Sequence, residues 1–179
     1  TNGKTTTKEL VASVLSQKYN IIYTQGNFNN HLGVPLTLLQ IKPETEIAVV
    51  EMGANHPKEI DFLCSLAQPN FGIITNIGKA HIEGFGSFEG VIKTKNELYD
   101  YLRNTNGKVF LNNDNPLLKE LAHDLTYVSY GKDDSANYNA AILSSNPYLS
   151  IKWNGMEINT NLVGDYNFEN VMAAITVGC

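Results

Sequence analysis

Thr1-Asn2-Gly3-Lys4-Thr5-Thr6-Thr7 runs without a break into a helical pattern over residues 5–18, in which Leu10, Val11, Val14 and Leu15 share one face. A Gly-Lys-Thr ending at the start of a helix is the ending of a phosphate-binding loop. Glycine lets the backbone approach closely, the amides point at phosphate oxygens, and the helix N-terminus adds a favourable dipole. In such a loop Lys4 reaches the β- and γ-phosphates and the Thr5 hydroxyl ligates Mg2+. A lone Gly-Lys-Thr at a helix start also arises by chance, so its weight depends on the rest of the chain.

Downstream, β-branched apolar runs alternate with helical patterns. The strand candidates are 21–23, 47–50, 71–75, 109–111 and 127–130, and the helical patterns between them are 31–40, 58–67, 88–103 and 115–123. This alternation predicts an α/β fold with a mostly parallel sheet flanked by helices. After Gly131 the pattern changes. Residues 140–163 read as short strands with polar alternation, and Asn154-Gly155 between two of them is a hairpin signal. These strands are expected to add antiparallel to the sheet's edge, before a final helix from about Asn167.

The chain has 179 residues with 42% hydrophobic and 17% charged positions, which suits one globular domain with a sizeable core. No apolar run is long enough to span a bilayer as a helix. A net charge of −5 argues against a general nucleic-acid binder, while leaving room for a local site for a small anion. Two cysteines, Cys64 and Cys179, fit a reducing, cytoplasmic setting better than a disulfide scaffold. The chain opens at Thr1 and stops at Cys179 inside a helical pattern, and so reads as a piece of a longer protein.

Three further residues stand out. Glu51 closes the run Ile47-Ala-Val-Val, and ligands in open α/β sheets sit beyond the carboxyl ends of strands, where a carboxylate suits Mg2+. His81 lies in the glycine-rich loop that follows strand 71–75, on the same rim. At 100° per residue, Lys95 falls at the centre of the stripe formed by Phe88, Val91, Ile92, Leu98, Tyr99 and Leu102. Desolvation there lowers a lysine pKa, and a neutral amine reacts with CO2 to give a carbamate, an oxygen ligand for a metal. The plainer readings are a solvated strand-end charge for Glu51, an exposed loop histidine for His81, and a snorkelling stem for Lys95.

At this point the residues resemble the Mur ligase family, ATP-dependent amide-forming enzymes of bacterial cell-wall synthesis. Thr1 to Thr6 reads T-N-G-K-T-T, matching the family's T-N-G-K-T-[TS]. Residues 24–35, 51–60 and 76–87 are similar to T-x-G-N-x-N-N-x-x-G-V-P, E-M-G-A-N-H-P-x-E-I and N-I-G-x-A-H-x-E-G-F-G-S. These stretches mark the branch that joins D-alanyl-D-alanine to UDP-N-acetylmuramoyl-tripeptide.

The resemblance spans residues 1 to about 178 and implies a P-loop NTPase-like fold. Asn2, Gly3, Lys4, Thr5 and Thr6 would bind ATP. Thr5 and Glu51 would hold a first Mg2+, His81 would help hold a second, and Lys95 would be the carbamylated lysine. Lys4, His81 and Lys95 are the implied catalytic residues. Thr24, Asn27, Asn29 and Asn30 would meet the UDP-sugar substrate. Asn167 and Asn170 would face adenine, with Tyr166 where many relatives carry histidine. Asn112-Asn-Asp-Asn-Pro resembles the family's strand-end segment, although its asparagines also suit turns.

The resemblance further implies a central ATP-binding domain over residues 1–179 that begins within the phosphate loop. N-terminal UDP-binding and C-terminal domains would lie outside it, the isolated fragment would be inactive, and the protein would be a monomer of the bacterial cytoplasm with no nucleic-acid partner. Other readings are a ligase adding meso-diaminopimelate or lysine, a folylpolyglutamate synthase-like enzyme, or a non-catalytic nucleotide-binding module. The stretch Glu51-Met-Gly-Ala-Asn-His-Pro disfavours the first two. The joint presence of Lys4, Thr5, Glu51, His81 and Lys95 disfavours the third.

Overall fold

The computed structural model describes residues 2–78 and 85–179, and the expected strand–helix alternation is present in it. Helix α1 (Lys4–Leu15) leads to β1 (Ile21–Tyr23), α2 (Gly33–Leu38), β2 (Ile47–Val49), α3 (Glu59–Ala67) and β3 (Phe71–Gly72). Then come α4 (Phe88–Thr105), β4 (Lys108–Asn112), α5 (Pro116–Leu121), β5 (Thr126–Gly131), β6 (Tyr138–Ser144), β7 (Ser150–Trp153), β8 (Met156–Asn159) and α6 (Asn167–Gly178).

Among the described residues the strands form two hydrogen-bonded groups rather than one continuous sheet. β1 pairs parallel with β2, and a second sheet runs β3-β4-β5-β6-β7-β8. The strands over 140–163 pair antiparallel with one another as expected, and β6 joins them to the parallel sheet. β6 begins parallel to β5, at Tyr130↔Tyr138 and Gly131↔Asn139, and then pairs antiparallel with β7. Asn154 and Gly155 both have positive φ, 49° and 79°, which is the two-residue turn that joins β7 to β8 with matching twist.

Several boundaries are tighter than the sequence pattern, for local reasons. α1 stops at Leu15 rather than at 18, where Ser16 Oγ and Gln17 Nε2 both bond Ser13 O and compete with further helical bonding. α2 starts at Gly33 rather than at 31, where Asn30 Oδ1 accepts from Leu32 N and Gly33 N in the turn that precedes the helix. β3 ends at Gly72 rather than at 75, and Thr75 Oγ1 donates instead to Asn2 O at 2.8 Å.

Alternation along β4 divides the core. Val109 and Leu111 face Tyr99 and Leu102 of α4 and Leu118 of α5. Phe110 faces the other way, toward Phe168, Val171 and Met172 of α6. α1 lies beside α6 and packs Val11 and Leu15 with Ala174, over Ile21, Ile47 and Val49. A fourth cluster, with Ile60, Leu63, Cys64 and Val91, joins α3 to α4 below the segment that follows β2. The apolar stripe of α4 thus faces two clusters. This arrangement brings the start of α1, the end of β2 and the middle of α4 to one rim.

Candidate phosphate and metal site

Gly3 opens the site. Its φ of +77° is a left-handed conformation, and a Cβ built on it would lie 2.5 Å from Asn170 Oδ1. Only glycine therefore fits between the loop and α6. Asn2 bridges to the end of β3, with its N–H donating to Asn76 Oδ1 at 2.9 Å and its carbonyl accepting from Thr75 Oγ1 and Asn76 Nδ2. Lys4 and Thr6 are half-buried and Thr5 is exposed at the N-terminus of α1, whose first amides are the free donors of any helix start.

Thr5, at the start of α1, meets the strand-end carboxylate directly. Thr5 Oγ1 donates to Glu51 Oε1 at 3.3 Å, and Asn29 Nδ2 donates to the same oxygen at 2.8 Å. Thr24 supports Glu51 from below, because its hydroxyl accepts from Glu51 N at 2.9 Å. Glu51 is 6% exposed, and its other oxygen, Oε2, is buried without a hydrogen-bond partner. A desolvated carboxylate oxygen left unpaired is costly, and its cost is removed by a cation.

With a hydroxyl beside it, the donor set is hard oxygen, which fits Mg2+. Among the described residues no group of three or more His, Cys, Asp and Glu could hold a metal ion. That also fits Mg2+, which commonly takes one or two protein ligands and completes its shell with phosphate and water. His81 lies outside the described residues.

Lys95 projects toward the same rim from α4. It is half-buried, beside the fully covered stripe rather than at its centre, with Nζ donating to Ala54 O at 3.3 Å and lying 5.4 Å from the centre of the Phe85 ring. Burial, with Lys4 as a nearby like charge, pushes its pKa down to about 8. Glu97, one turn-half further on, is 7% exposed and accepts from Lys58 N at 2.8 Å and Asp61 N at 3.0 Å. It thereby caps the start of α3 from a different helix, and holds the segment between Glu51 and α3 in place.

The remaining candidates divide by exposure. Asn27 and Asn30 are exposed in the loop after β1 and Asn29 is half-buried, whereas Thr24 has no exposed surface. Asn167 and Asn170 are each 6% exposed. Their side chains form a chain in which Thr7 Oγ1 donates to Asn170 Oδ1, Asn170 Nδ2 to Asn167 Oδ1, and Asn167 Nδ2 to Val163 O. This chain stitches α6 to α1 under the phosphate loop, and Tyr166, 71% exposed, is the neighbour presented to solvent. In the Asn112–Asn115 segment, Asn115 Oδ1 caps α5 through Leu118 N and Asn112 Oδ1 accepts from Asp114 N, which is turn and cap chemistry.

Sequence reasoning missed Lys8 and Glu97. The signal for Lys8 was present: it shares a face of α1 with Val11, Ala12 and Leu15 at helical spacing, as Lys95 does with its own neighbours.

Comparison with known proteins identifies the family. Residues 1–178 match the Mur ligase middle domain. The UDP-N-acetylmuramoyl-tripeptide–D-alanyl-D-alanine ligase of Haemophilus influenzae is 39% identical, over 97% of this chain and 40% of its own length. The crystal structure of MurF from Acinetobacter baumannii superposes with a TM-score of 0.87 at 31% identity, covering 98% of this chain and 40% of that one. The structure of MurF ligase from Thermotoga maritima in complex with ADP superposes with a TM-score of 0.81 at 29% identity, covering 99% of this chain and 43% of that one. The chain therefore spans about two-fifths of the length of the curated relatives it matches. It belongs to the Mur ligase family, and what it contributes is the middle domain of that family.

Proposed function

We propose that this chain is the ATP-binding central domain of a ligase that joins D-alanyl-D-alanine to UDP-N-acetylmuramoyl-tripeptide, a step of peptidoglycan precursor synthesis in the bacterial cytoplasm. The observation that carries the reading is the buried Glu51 carboxylate. One of its oxygens is shared by the phosphate-loop Thr5 and the loop residue Asn29, and the other is left without a partner. The nucleotide-binding element and the loop read as substrate-binding thus converge on one carboxylate. The ADP held by the Thermotoga maritima relative supports ATP as the nucleotide.

In this reading the tripeptide's terminal carboxylate attacks the γ-phosphate, giving an acyl phosphate and ADP. The D-alanyl-D-alanine amine then adds to the acyl carbon, and the tetrahedral intermediate expels phosphate while the amine gives up its proton. Phosphoryl transfer needs positioning and charge neutralisation above all. Gly3 and the first amides of α1 receive phosphate oxygens, and Asn2 and Thr6 flank them. Lys4 offsets their charge. Thr5 and Glu51 would hold Mg2+, which when bound would supply further charge neutralisation between two anions that otherwise repel.

Asn29 holds Glu51 in its orientation, Asn27 and Asn30 face the UDP-sugar substrate with Thr24 beneath them, and Tyr166 stacks on adenine with Asn167 and Asn170 next to it in sequence. Lys95 as a carbamate and His81 would serve a second Mg2+. We further propose that the protein acts as a monomer, with UDP-binding and C-terminal domains on either side of this one. Among the described residues no helix is long and apolar enough to cross a membrane.

The test is phosphate release by the full-length protein with ATP, Mg2+ and UDP-N-acetylmuramoyl-tripeptide, with and without D-alanyl-D-alanine. Product amide and phosphate are expected in equal amounts only when both substrates are present. Turnover supported by lysine or meso-diaminopimelate instead would overturn the assignment, as would ATP binding without turnover.

A further inference from the structure

We propose that Lys8 is a positioning residue that clamps the loop after β1, and with it the Glu51 carboxylate, onto the phosphate-loop helix. Lys8 is 4% exposed, one helical turn beyond Lys4 on α1. Its ammonium meets three acceptors: Thr24 O at 2.7 Å, Gly26 O at 3.3 Å and Glu9 Oε1 at 2.7 Å. The group also lies 5.6 Å from the centre of the Tyr23 ring. Three protons on three acceptors use the full donor capacity of a lysine, so it has none left for a ligand.

A buried ammonium is an expensive way to fill space. Its neighbours on the helix face are Val11, Ala12 and Leu15, and a hydrophobe of similar volume in such a place is often neutral or more stabilising. What a hydrophobe cannot do is fix two backbone carbonyls two residues apart. Those carbonyls belong to the residues that open the loop carrying Asn27, Asn29 and Asn30. From there the connections run to Glu51. Thr24 Oγ1 accepts from Glu51 N, Asn29 Nδ2 donates to Glu51 Oε1, and Asn29 O accepts from Gly53 N at 2.7 Å. Lys4 and Lys8 thus place two jobs on one helix, phosphate binding at its first turn and loop clamping at its second.

The catalytic consequence of the clamp rests on the ligase reading, in which this loop meets the UDP-sugar substrate. The structural consequence does not. The experiment uses the full-length protein and Lys8→Met, which keeps an unbranched apolar stem and removes the ammonium. Amide hydrogen exchange reads the clamp directly. The amides of Asn29, Glu51 and Gly53 are expected to exchange at least about tenfold faster in the variant, the order expected from losing charged hydrogen bonds, while the Thr7 amide, bonded to Gly3 O, keeps its protection.

In steady-state assays the KM for UDP-N-acetylmuramoyl-tripeptide and the Mg2+ requirement are expected to rise about tenfold, with the KM for D-alanyl-D-alanine unchanged. Unaltered exchange at those three amides overturns the proposal, as does an equal shift in every KM. An unmodified protein without ligase activity sinks the ligase reading, and the exchange data then still decide the clamp. Should Lys8→Met fail to fold, Lys8→Gln, whose neutral and shorter side chain has two donor protons for the three acceptors, is expected to speed exchange at the same amides by a smaller factor, and unaltered exchange there again overturns the proposal.

Discussion

Glu51→Gln separates the proposed metal role of this carboxylate from any structural one. In the metal-free protein, Glu51 buries a charge, accepts from Thr5 and Asn29 at one oxygen and leaves the other unpaired. The amide keeps an acceptor for Thr5 and Asn29 but weakens both bonds, since bonds to a charged group contribute about 1.5–3 kcal/mol and neutral ones about 0.5–1.5. Against that loss, the variant no longer desolvates an anion, which costs several kcal/mol when unpaired. The two effects nearly offset, so metal-free stability should stay within about 1 kcal/mol of the unmodified protein.

Nucleotide with Mg2+ behaves differently. At about 100 times its Kd a ligand stabilises by about 2.7 kcal/mol, which raises the melting temperature. In Glu51→Gln most of the Mg2+-dependent part of that shift should vanish, and turnover should fall by about 10²–10³, as for loss of an electrostatic group at a reacting centre. The assay is thermal melting of the full-length protein with ATP, with and without Mg2+. A variant that melts far lower without metal, yet keeps the full Mg2+-dependent shift, would refute the reasoning and make Glu51 a structural residue.

Other outcomes follow from the same contacts. Gly3→Ala should cost about 2 kcal/mol in urea denaturation, about 1 for its left-handed backbone and about 1 for displacing Asn170 from Thr7; in an Asn170→Ala background the second part should disappear, and additive effects would contradict the contact. Glu97→Ala should cost about 3 kcal/mol, because the amides of Lys58 and Asp61 lose a buried carboxylate, and Glu97→Gln should recover part of that. Lys95→Ala in the full-length enzyme should lose most activity and regain some with added short carboxylic acids, whereas normal turnover under CO2-free conditions would sink the carbamate role.

Lys95 also has a pH signature. Its folded pKa lies near 8 against an ordinary 10.5, so between those values the unfolded chain holds a proton that the folded chain has released. Stability contributed by this group therefore rises with pH through that window, and Lys95→Met should flatten the rise in urea melts taken across it.

Much of the fold is legible in short-range pattern. Alternating β-branched runs and helical stripes place the five parallel-strand segments and six described helices, and Asn154-Gly155 marks its turn, because strand and helix periods and positive-φ turns are local properties. Boundaries depend on side chains that compete for the backbone. Asn30 delays α2 and Ser16 and Gln17 end α1, and a pattern of hydrophobicity does not register either. Separation of β1 and β2 from the larger sheet is likewise invisible to periodicity, since a strand's partner lies far along the chain.

The site divides in the same way. Gly3-Lys4-Thr5, Glu51 and Lys95 announce themselves by residue type and position, because phosphate loops, strand-end carboxylates and lysines on apolar faces each carry a local chemical signature. The tertiary structure alone decides that Thr5 and Asn29 share one oxygen of Glu51 and leave the other bare, that Asn167 and Asn170 bind each other beneath Gly3, and that Lys8 and Glu97 are buried. The reason is physical. Whether a charge is buried depends on whether carbonyls or amides from distant segments arrive to meet it, as those of Thr24 and Gly26 do for Lys8 and those of Lys58 and Asp61 do for Glu97.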